Sequence, residues 1–229
     1  RGMIISAPLK AKSSLFGILV AINDDTSRLF DENDIHLLTI MANQAAIAFE
    51  NYLLYRKIEI ESITDGLTGV YNFRFLVRSL HLEMKRARRF GQRFTFVMLD
   101  VDNLKEYNDR NGHLSGSRAL KDIAGIIAGS CREIDLVAKY GGDEFAMILP
   151  QTDEPGARSL CERILERIER FRFDRRRAGL LTCSIGIACY PGDAHTPEEL
   201  IERADEALYR AKSQGKNTIR TYSEIACAR

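Results

Sequence analysis

The chain has 229 residues, 45% of them hydrophobic, enough for one large domain or for one domain plus a partial one. Lys and Arg number 33 against 32 Asp and Glu, and a net charge of +1 gives no basis for a nucleic-acid surface. No run approaches the ~20 apolar residues of a membrane span, since the longest apolar-biased stretch, Ile40 to Phe49, is interrupted by Asn43 and Gln44.

Five cysteines, at 131, 161, 183, 189 and 227, lack zinc-ligand spacing, so reduced thiols in a cytoplasmic protein are the simplest reading. There is no signal peptide, and the chain opens Arg-Gly-Met amid apparent structure, so it reads as part of something longer. Residues 1–30 read as strand material, with β-rich runs at Met3-Ile4-Ile5 and Leu15 to Ile22. Asp31 or Asn33 is placed to cap a helix that starts near Asp34 and meets no breaker until about Ile63. Two apolar stripes follow it. One is Leu37, Ile40, Ile47, Leu54 and Ile58; the other is Leu38, Met41, Ala45, Ala48, Tyr52 and Tyr55. The second fits a coiled-coil seam, while simple packing on neighbouring domains accounts for both.

After Asp65-Gly66 the pattern changes. It predicts helices at about 72–90, 103–109, 116–130, 154–170 and 197–213. Strands are expected at 94–100, 134–140, 144–149, 181–188 and 217–222. Strands alternating with helices, plus one tight hairpin at Gly141-Gly142-Asp143, suggest an α/β sandwich with a mixed central sheet.

Asp100 ends an apolar strand, and Asp102 follows two positions later. A carboxylate there is often only a turn-former. Lys139-Tyr140-Gly141-Gly142-Asp143-Glu144-Phe145 lies between two other apolar strands. Gly-Gly suits a hairpin turn, but a turn has no need of two consecutive acids before a core Phe. If that hairpin lies beside the first strand, Asp100, Asp143 and Glu144 converge. Converging carboxylates repel unless a cation sits among them, and hard oxygen ligands favour Mg²⁺, with Mn²⁺ a second choice.

At these residues the chain resembles the GGDEF family of nucleotidyl cyclases. The hairpin carries the signature, and Leu67-Thr68-Gly69-Val70-Tyr71-Asn72 resembles the family's opening segment. The run Asp100 to Asp109 resembles its metal and phosphate loop, followed by Gly112-His113-Leu114-Ser115-Gly116. Ala204 to Lys212 and Gly215-Lys216-Asn217 resemble its closing segment. The resemblance covers roughly residues 63–222. It implies a palm-like, ferredoxin- or adenylyl-cyclase-like fold, with a domain at 64–223. It also implies a homodimer in which each subunit holds one triphosphate, and each 3′-hydroxyl attacks the other nucleotide's α-phosphate. By the same resemblance, Asp100, Asp143 and the Val101 carbonyl bind metal, and Glu144 binds a second ion or assists deprotonation. Asn103, Leu104 and Lys105 cradle the phosphates, and Lys105, Lys212 and Lys216 neutralise them. The family more often has Arg at the last position, so Lys216 offers a point charge instead of a fork.

The resemblance places Asn108, His113, Ser117 and Leu120 at the base. Most of the family has Asp where this chain has Ser117. Guanine presents N1–H and N2–H₂ donors that a carboxylate accepts, whereas adenine presents an N1 acceptor; a hydroxyl serves either. Ser117 therefore resembles the promiscuous subgroup, which takes ATP and GTP and makes cyclic GMP-AMP beside symmetric products. Two alternatives remain: a strict cyclase making cyclic di-GMP, and a non-catalytic nucleotide-binding receptor. Arg132 and Asp135, nine residues ahead of Gly141 at their first member, resemble the family's inhibitory product site. Residues 1–50 resemble the C-terminal part of a GAF sensor domain, with 34–63 as a linker helix that sets how two catalytic domains face each other. No nucleic-acid or membrane partner is expected.

Overall fold

The structure, a computed structural model, describes residues 3–12, 14–24, 29–173 and 181–227, and within them the side chains other than those of 56–62 and Cys227. It divides into two compact units, one running to Ser62 and the other starting at Ile63. Among the described residues no helix is long and apolar enough to cross a membrane.

In the first unit, β1 (Met3–Ala11) and β2 (Ser14–Asn23) pair antiparallel. Alternation turns Ile5, Ala7 and Leu9 of β1, and Leu19 and Ala21 of β2, toward helix α1 (Glu32–Ile63). Asp31 caps that helix: its Oδ1 accepts from the N–H groups of Asn33 at 2.8 Å and Asp34 at 3.0 Å. The face α1 buries is Leu38, Ala42 and Ala46, which shares only Leu38 with the expected stripes. Leu38 and Ala42 of that face pack with Ala7 of the hairpin. Leu37, Ile40, Met41, Ile47, Tyr52, Leu54 and Tyr55 stay exposed, and the Ile58 side chain lies outside the described residues.

The second unit is built on a five-stranded sheet of order β4-β5-β3-β6-β7. Its strands are β3 (Phe94–Asp102), β4 (Leu136–Lys139), β5 (Glu144–Pro150), β6 (Thr182–Tyr190) and β7 (Ile219–Thr221). Central β3 is antiparallel to β5 and β6, and β6 is parallel to β7, which makes the sheet mixed. Every residue of β3 is buried, the mark of a strand covered on both faces. On one face Val97, Leu99 and Val101 pack with α4 (His113–Ala128) and α5 (Glu154–Arg170). On the other, Phe94, Phe96 and Met98 pack with α2 (Phe73–Phe90) and α6 (Pro197–Ser213). The palm-like mixed sheet flanked by helices is thus the fold.

Local signals account for the helix ends. Asn72 caps α2 and Gly91 ends it at φ 63°. Asp153 starts α5, and Thr196 with Glu199 forms a capping box on α6. Helix α6 lies close on β6 because position 186 is glycine: a Cβ there would sit 2.1 Å from the Ala204 carbonyl oxygen. That close approach carries Lys212, near the end of α6, to the sheet rim. Short α3 (Leu104–Asn111) leads from β3 into α4, and α7 (Tyr222–Cys227) follows β7.

Candidate active site

Strand register brings the acids to one rim. Asp100 stands opposite Glu144 on β5 and Ser184 on β6. The hairpin between β4 and β5 folds back on itself: the N–H groups of Tyr140 and Gly141 both reach the Glu144 carbonyl, at 2.9 and 3.3 Å. The Asp143 carbonyl accepts from the Val101 N–H at 3.1 Å, which docks the turn on the end of β3. Lys139 secures it from beneath. Its ammonium donates to the Gly142 carbonyl at 2.6 Å and lies 4.5 Å from the Phe145 ring centre.

A cavity of about 430 Å³ opens at this rim. Asp100, Asp102, Asp109 and Asp143 line it together with Lys105, Lys212 and Lys216. The segment Val101 to Leu104 and Glu106 complete the lining. Asp100 and Asp143 thus share one space with the three expected lysines. Burial pushes the Asp100 carboxyl up to about 6. Lys212, with its Nζ 2.8 Å from Asp100 Oδ2, opposes that rise, while the charges of Asp143 and Glu144 add to it.

Glu144 departs from the expected convergence. Its Oε2 lies over its own turn, only 2.5 Å from where a Cβ on Gly141 would stand, and the residue does not line the cavity. Among the described residues no three Asp, Glu, His or Cys side chains are arranged to hold a metal ion. Close carboxylates need positive charge between them, and here the Lys212 ammonium supplies it. That ammonium stands 2.8 Å from Asp100, in a cavity that Asp143 also lines, so a cation is accommodated beside carboxylate oxygens there.

Asn103, Leu104, Lys105, Lys212 and Lys216, the residues expected at the phosphates, all line this cavity. Asn103 adopts φ 58° at the start of α3, and its Oδ1 accepts from Lys216 Nζ at 2.6 Å. The expected base residues do not line the cavity. Asn108 Oδ1 is buried without a hydrogen-bond partner and presses on α4 at Gly116, where a Cβ would come within 1.7 Å of it. Ser117 is half-buried and His113 exposed, whereas Leu120 is buried in the core between sheet and helices. Hydrophobicity placed Leu120 there: on α4 it follows the apolar face of Ala119, Ile123 and Ile127.

Arg132 and Asp135 form a tight turn. The Arg132 N–H donates to Asp135 Oδ2 at 2.7 Å, and the Asp135 N–H to the Arg132 carbonyl at 3.1 Å. Arg132 itself is exposed. Lys139 and Asp102 had no assigned role in the sequence. For Asp102 a signal existed: at two residues from Asp100 it falls on the same face of β3. For Lys139 none did, because a lysine before a Gly-Gly turn reads as surface.

Comparisons with known proteins agree with this architecture. A family model described as diguanylate cyclase, GGDEF domain, matches residues 62–218, and a GAF domain model matches residues 2–49. The response regulator PleD of Caulobacter vibrioides is 34% identical over 206 residues, covering 87% of this chain and 45% of that protein. Diguanylate cyclase DgcP of Pseudomonas aeruginosa is 38% identical over 177 residues, covering 77% of this chain and 26% of that one. The chain therefore spans less than half the length of either. The coiled coil and GGDEF domain of DgcB from Caulobacter crescentus, solved in complex with c-di-GMP, superposes with a TM-score of 0.71 at 27% identity, covering 79% of this chain and 96% of that one.

Proposed function

We propose a function from one premise: the chain belongs to the GGDEF diguanylate cyclase family. It condenses two GTP molecules into cyclic di-GMP, releasing one pyrophosphate for each bond formed, as a homodimer whose two cavities face each other. One observation carries this reading. At the sheet rim, Asp100 and Asp143 share a cavity with Lys105, Lys212 and Lys216. Carboxylates beside ammonium groups match a divalent cation beside a triphosphate.

Each reaction half is a displacement at phosphorus. The 3′-hydroxyl oxygen of one nucleotide bonds to the α-phosphorus of the other, the α–β bridging bond breaks, and the hydroxyl proton leaves. Asp100 and Asp143 would hold a Mg²⁺ or Mn²⁺, which would supply charge stabilisation at the phosphoryl oxygens. Lys105 and Lys216 neutralise the departing pyrophosphate, and the Asn103 turn orients it. Glu144, next to Asp143 on the hairpin, would take the hydroxyl proton once its side chain, now over Gly141, turns to the cavity. One cavity serves one triphosphate, so two chains are needed to close the ring, and the exposed apolar face of α1 is their meeting surface. Incubating the chain with GTP and Mg²⁺ and resolving products by chromatography tests this. A confirmed dimer that yields no cyclic dinucleotide would leave the nucleotide-binding receptor as the function.

Ser117 supports a second reading, in which base choice is relaxed and ATP enters as well. It stands half-buried beside Gly116, against which Asn108 packs, and its hydroxyl donates or accepts where a carboxylate only accepts. Mixed ATP and GTP then give cyclic GMP-AMP alongside cyclic di-GMP. Ser117→Asp is expected to shift the product ratio toward cyclic di-GMP by about tenfold, the scale of one charge-assisted hydrogen bond. A ratio that does not move removes relaxed base choice and leaves cyclic di-GMP alone.

The exposed Arg132 supports product inhibition. Its guanidinium offers a fork to a phosphate or a guanine edge, while Asp135 shapes the turn that presents it. Arg132→Ala is expected to leave initial rates within about twofold and to lengthen the linear phase of progress curves several-fold. Superimposable progress curves for variant and wild type count against this site.

A further inference from the structure

Asp102 is 2% exposed and receives no ligand in the chemistry above. Its carboxylate takes three hydrogen bonds. Ser184 Oγ donates to Oδ1 at 2.8 Å, Thr182 Oγ1 donates to Oδ2 at 2.8 Å, and the Asn217 N–H donates to Oδ2 at 3.1 Å. The first two donors come from the adjacent strand β6. The third comes from the turn after α6.

That turn is unusual in its backbone. Gly215, Lys216 and Asn217 follow one another at φ 113°, 64° and 46°. Residues other than glycine persist in the left-handed region only where their surroundings fix them. Two bonds fix this turn: the Lys216 N–H to the Ala211 carbonyl at 3.3 Å, and the Asn217 N–H to Asp102. Between them projects the Lys216 side chain, whose Nζ meets Asn103 Oδ1 at 2.6 Å. Asn103 is the next residue after Asp102 and also has positive φ, at 58°. One buried carboxylate therefore joins the two segments that bring Asn103 and Lys216 to the cavity.

We infer that Asp102 is a positioning residue for the triphosphate: by holding the Asn217 amide it sets the Lys216 ammonium over the cavity beside Asn103. The inference rests on the cyclase reading of the same cavity. A carboxyl group offers two acceptor oxygens, and all three neighbours are able to donate to them. Its removal takes away the bond at Asn217 and leaves Lys216 held by its own N–H on the Ala211 carbonyl and by Nζ on Asn103, a looser mount for the ammonium over the cavity.

The test is GTP affinity and steady-state kinetics with Mg²⁺ for wild type, Asp102→Ala, Asp102→Asn and Lys216→Met. Asp102→Ala is expected to raise Kd and KM for GTP about tenfold, the effect of losing a hydrogen bond to a charged group, with kcat within about threefold. A purely structural loss would do the reverse, lowering kcat through a smaller active fraction and leaving KM alone. Asp102→Asn fills the same space and keeps one acceptor oxygen, so its KM falls between the two, and it decides the matter alone if the alanine variant does not fold. In the Lys216→Met background the Asp102 changes are expected to add nothing, because both act through one ammonium group. GTP bound as tightly by the Asp102 variants as by wild type overturns the positioning role. So does an equal further loss in the Lys216→Met background. A wild-type chain that binds no GTP overturns the cyclase reading and, with it, this role.

Discussion

Asp100→Asn is expected to abolish cyclase activity, by a thousandfold or so, the scale of losing a metal-binding or charge-stabilising group, and at the same time to make the fold more stable at pH 8. The second effect follows from the site's electrostatics. In the folded chain the Asp100 carboxyl is pushed up to about 6 from its ordinary 3.8, chiefly by burial. A group whose folded value is raised contributes stability below the unfolded value and loses it as pH rises through the folded one. Ionised Asp100 is therefore a cost above about pH 6, of up to roughly 3 kcal/mol given the gap between its folded and ordinary values. An uncharged asparagine escapes that cost. For a domain of this size the gain is several degrees in Tm at pH 8, disappearing at pH 4, where wild-type Asp100 nears its neutral form. Calorimetry at both pH values measures it. Adding Mg²⁺ and GTP should raise the wild-type Tm and leave the variant's nearly still. A variant less stable than wild type at pH 8 would mean that Lys212 more than offsets the burial of the charge.

Much of the fold was legible in the sequence because its elements carry strong local signals. Helices at 154–170 and 197–213 were expected from the sequence pattern, and the structure has them at Glu154–Arg170 and Pro197–Ser213, where Asp153 and Thr196 prove to be the caps. The run Phe94 to Asp100 read as a strand, and the structure buries it whole. Elements fixed by distant partners were not legible. Residues 217–222 read as one strand, yet β7 stops at Thr221 and α7 begins at Tyr222. That short helix is held from outside its own sequence, by Arg158 paired with Glu224 and by Ser223 Oγ donating to Glu154 Oε2 at 2.7 Å. Thr221 and Glu224 close its first turn reciprocally, through the N–H of each. Likewise α4 begins at His113 instead of 116, because the Gly112 carbonyl accepts from both Ser115 and Gly116.

The site divides the same way. Residue chemistry singled out Asp100 and Asp143, the family resemblance added Lys105, Lys212 and Lys216, and all five line one cavity. Side-chain direction was beyond reach. Neither the folding of Glu144 over Gly141 nor the burial of Leu120 follows from motif spacing, since both depend on which rotamer the packed neighbours allow. Asp102 was visible as a residue and invisible as an anchor. Its meaning comes from Asn217, far along the chain, and no local pattern pairs the two.

Lys212→Met should separate the two duties of that lysine. At the rim its ammonium is the counter-charge of Asp100 at 2.8 Å, and it also lines the cavity that would receive the triphosphate. Removing it takes away the largest influence that lowers the Asp100 carboxyl, leaving burial and the charges of Asp143 and Glu144 opposed mainly by the more distant Lys139. The folded value then climbs beyond about 6. A metal ion needs the carboxylate, so the acidic limb of kcat/KM, measured at Mg²⁺ below saturation, moves to higher pH. Phosphate affinity falls too, and together these are expected to lower kcat/KM at pH 7 by a hundredfold or so. Lys212→Arg keeps the charge and should hold the limb near its original place while recovering only part of the rate, since a planar fork does not fill a point-charge site. If the methionine variant loses rate with its pH profile unmoved, Lys212 serves the phosphates alone, and the acids of the rim must be balanced by something else.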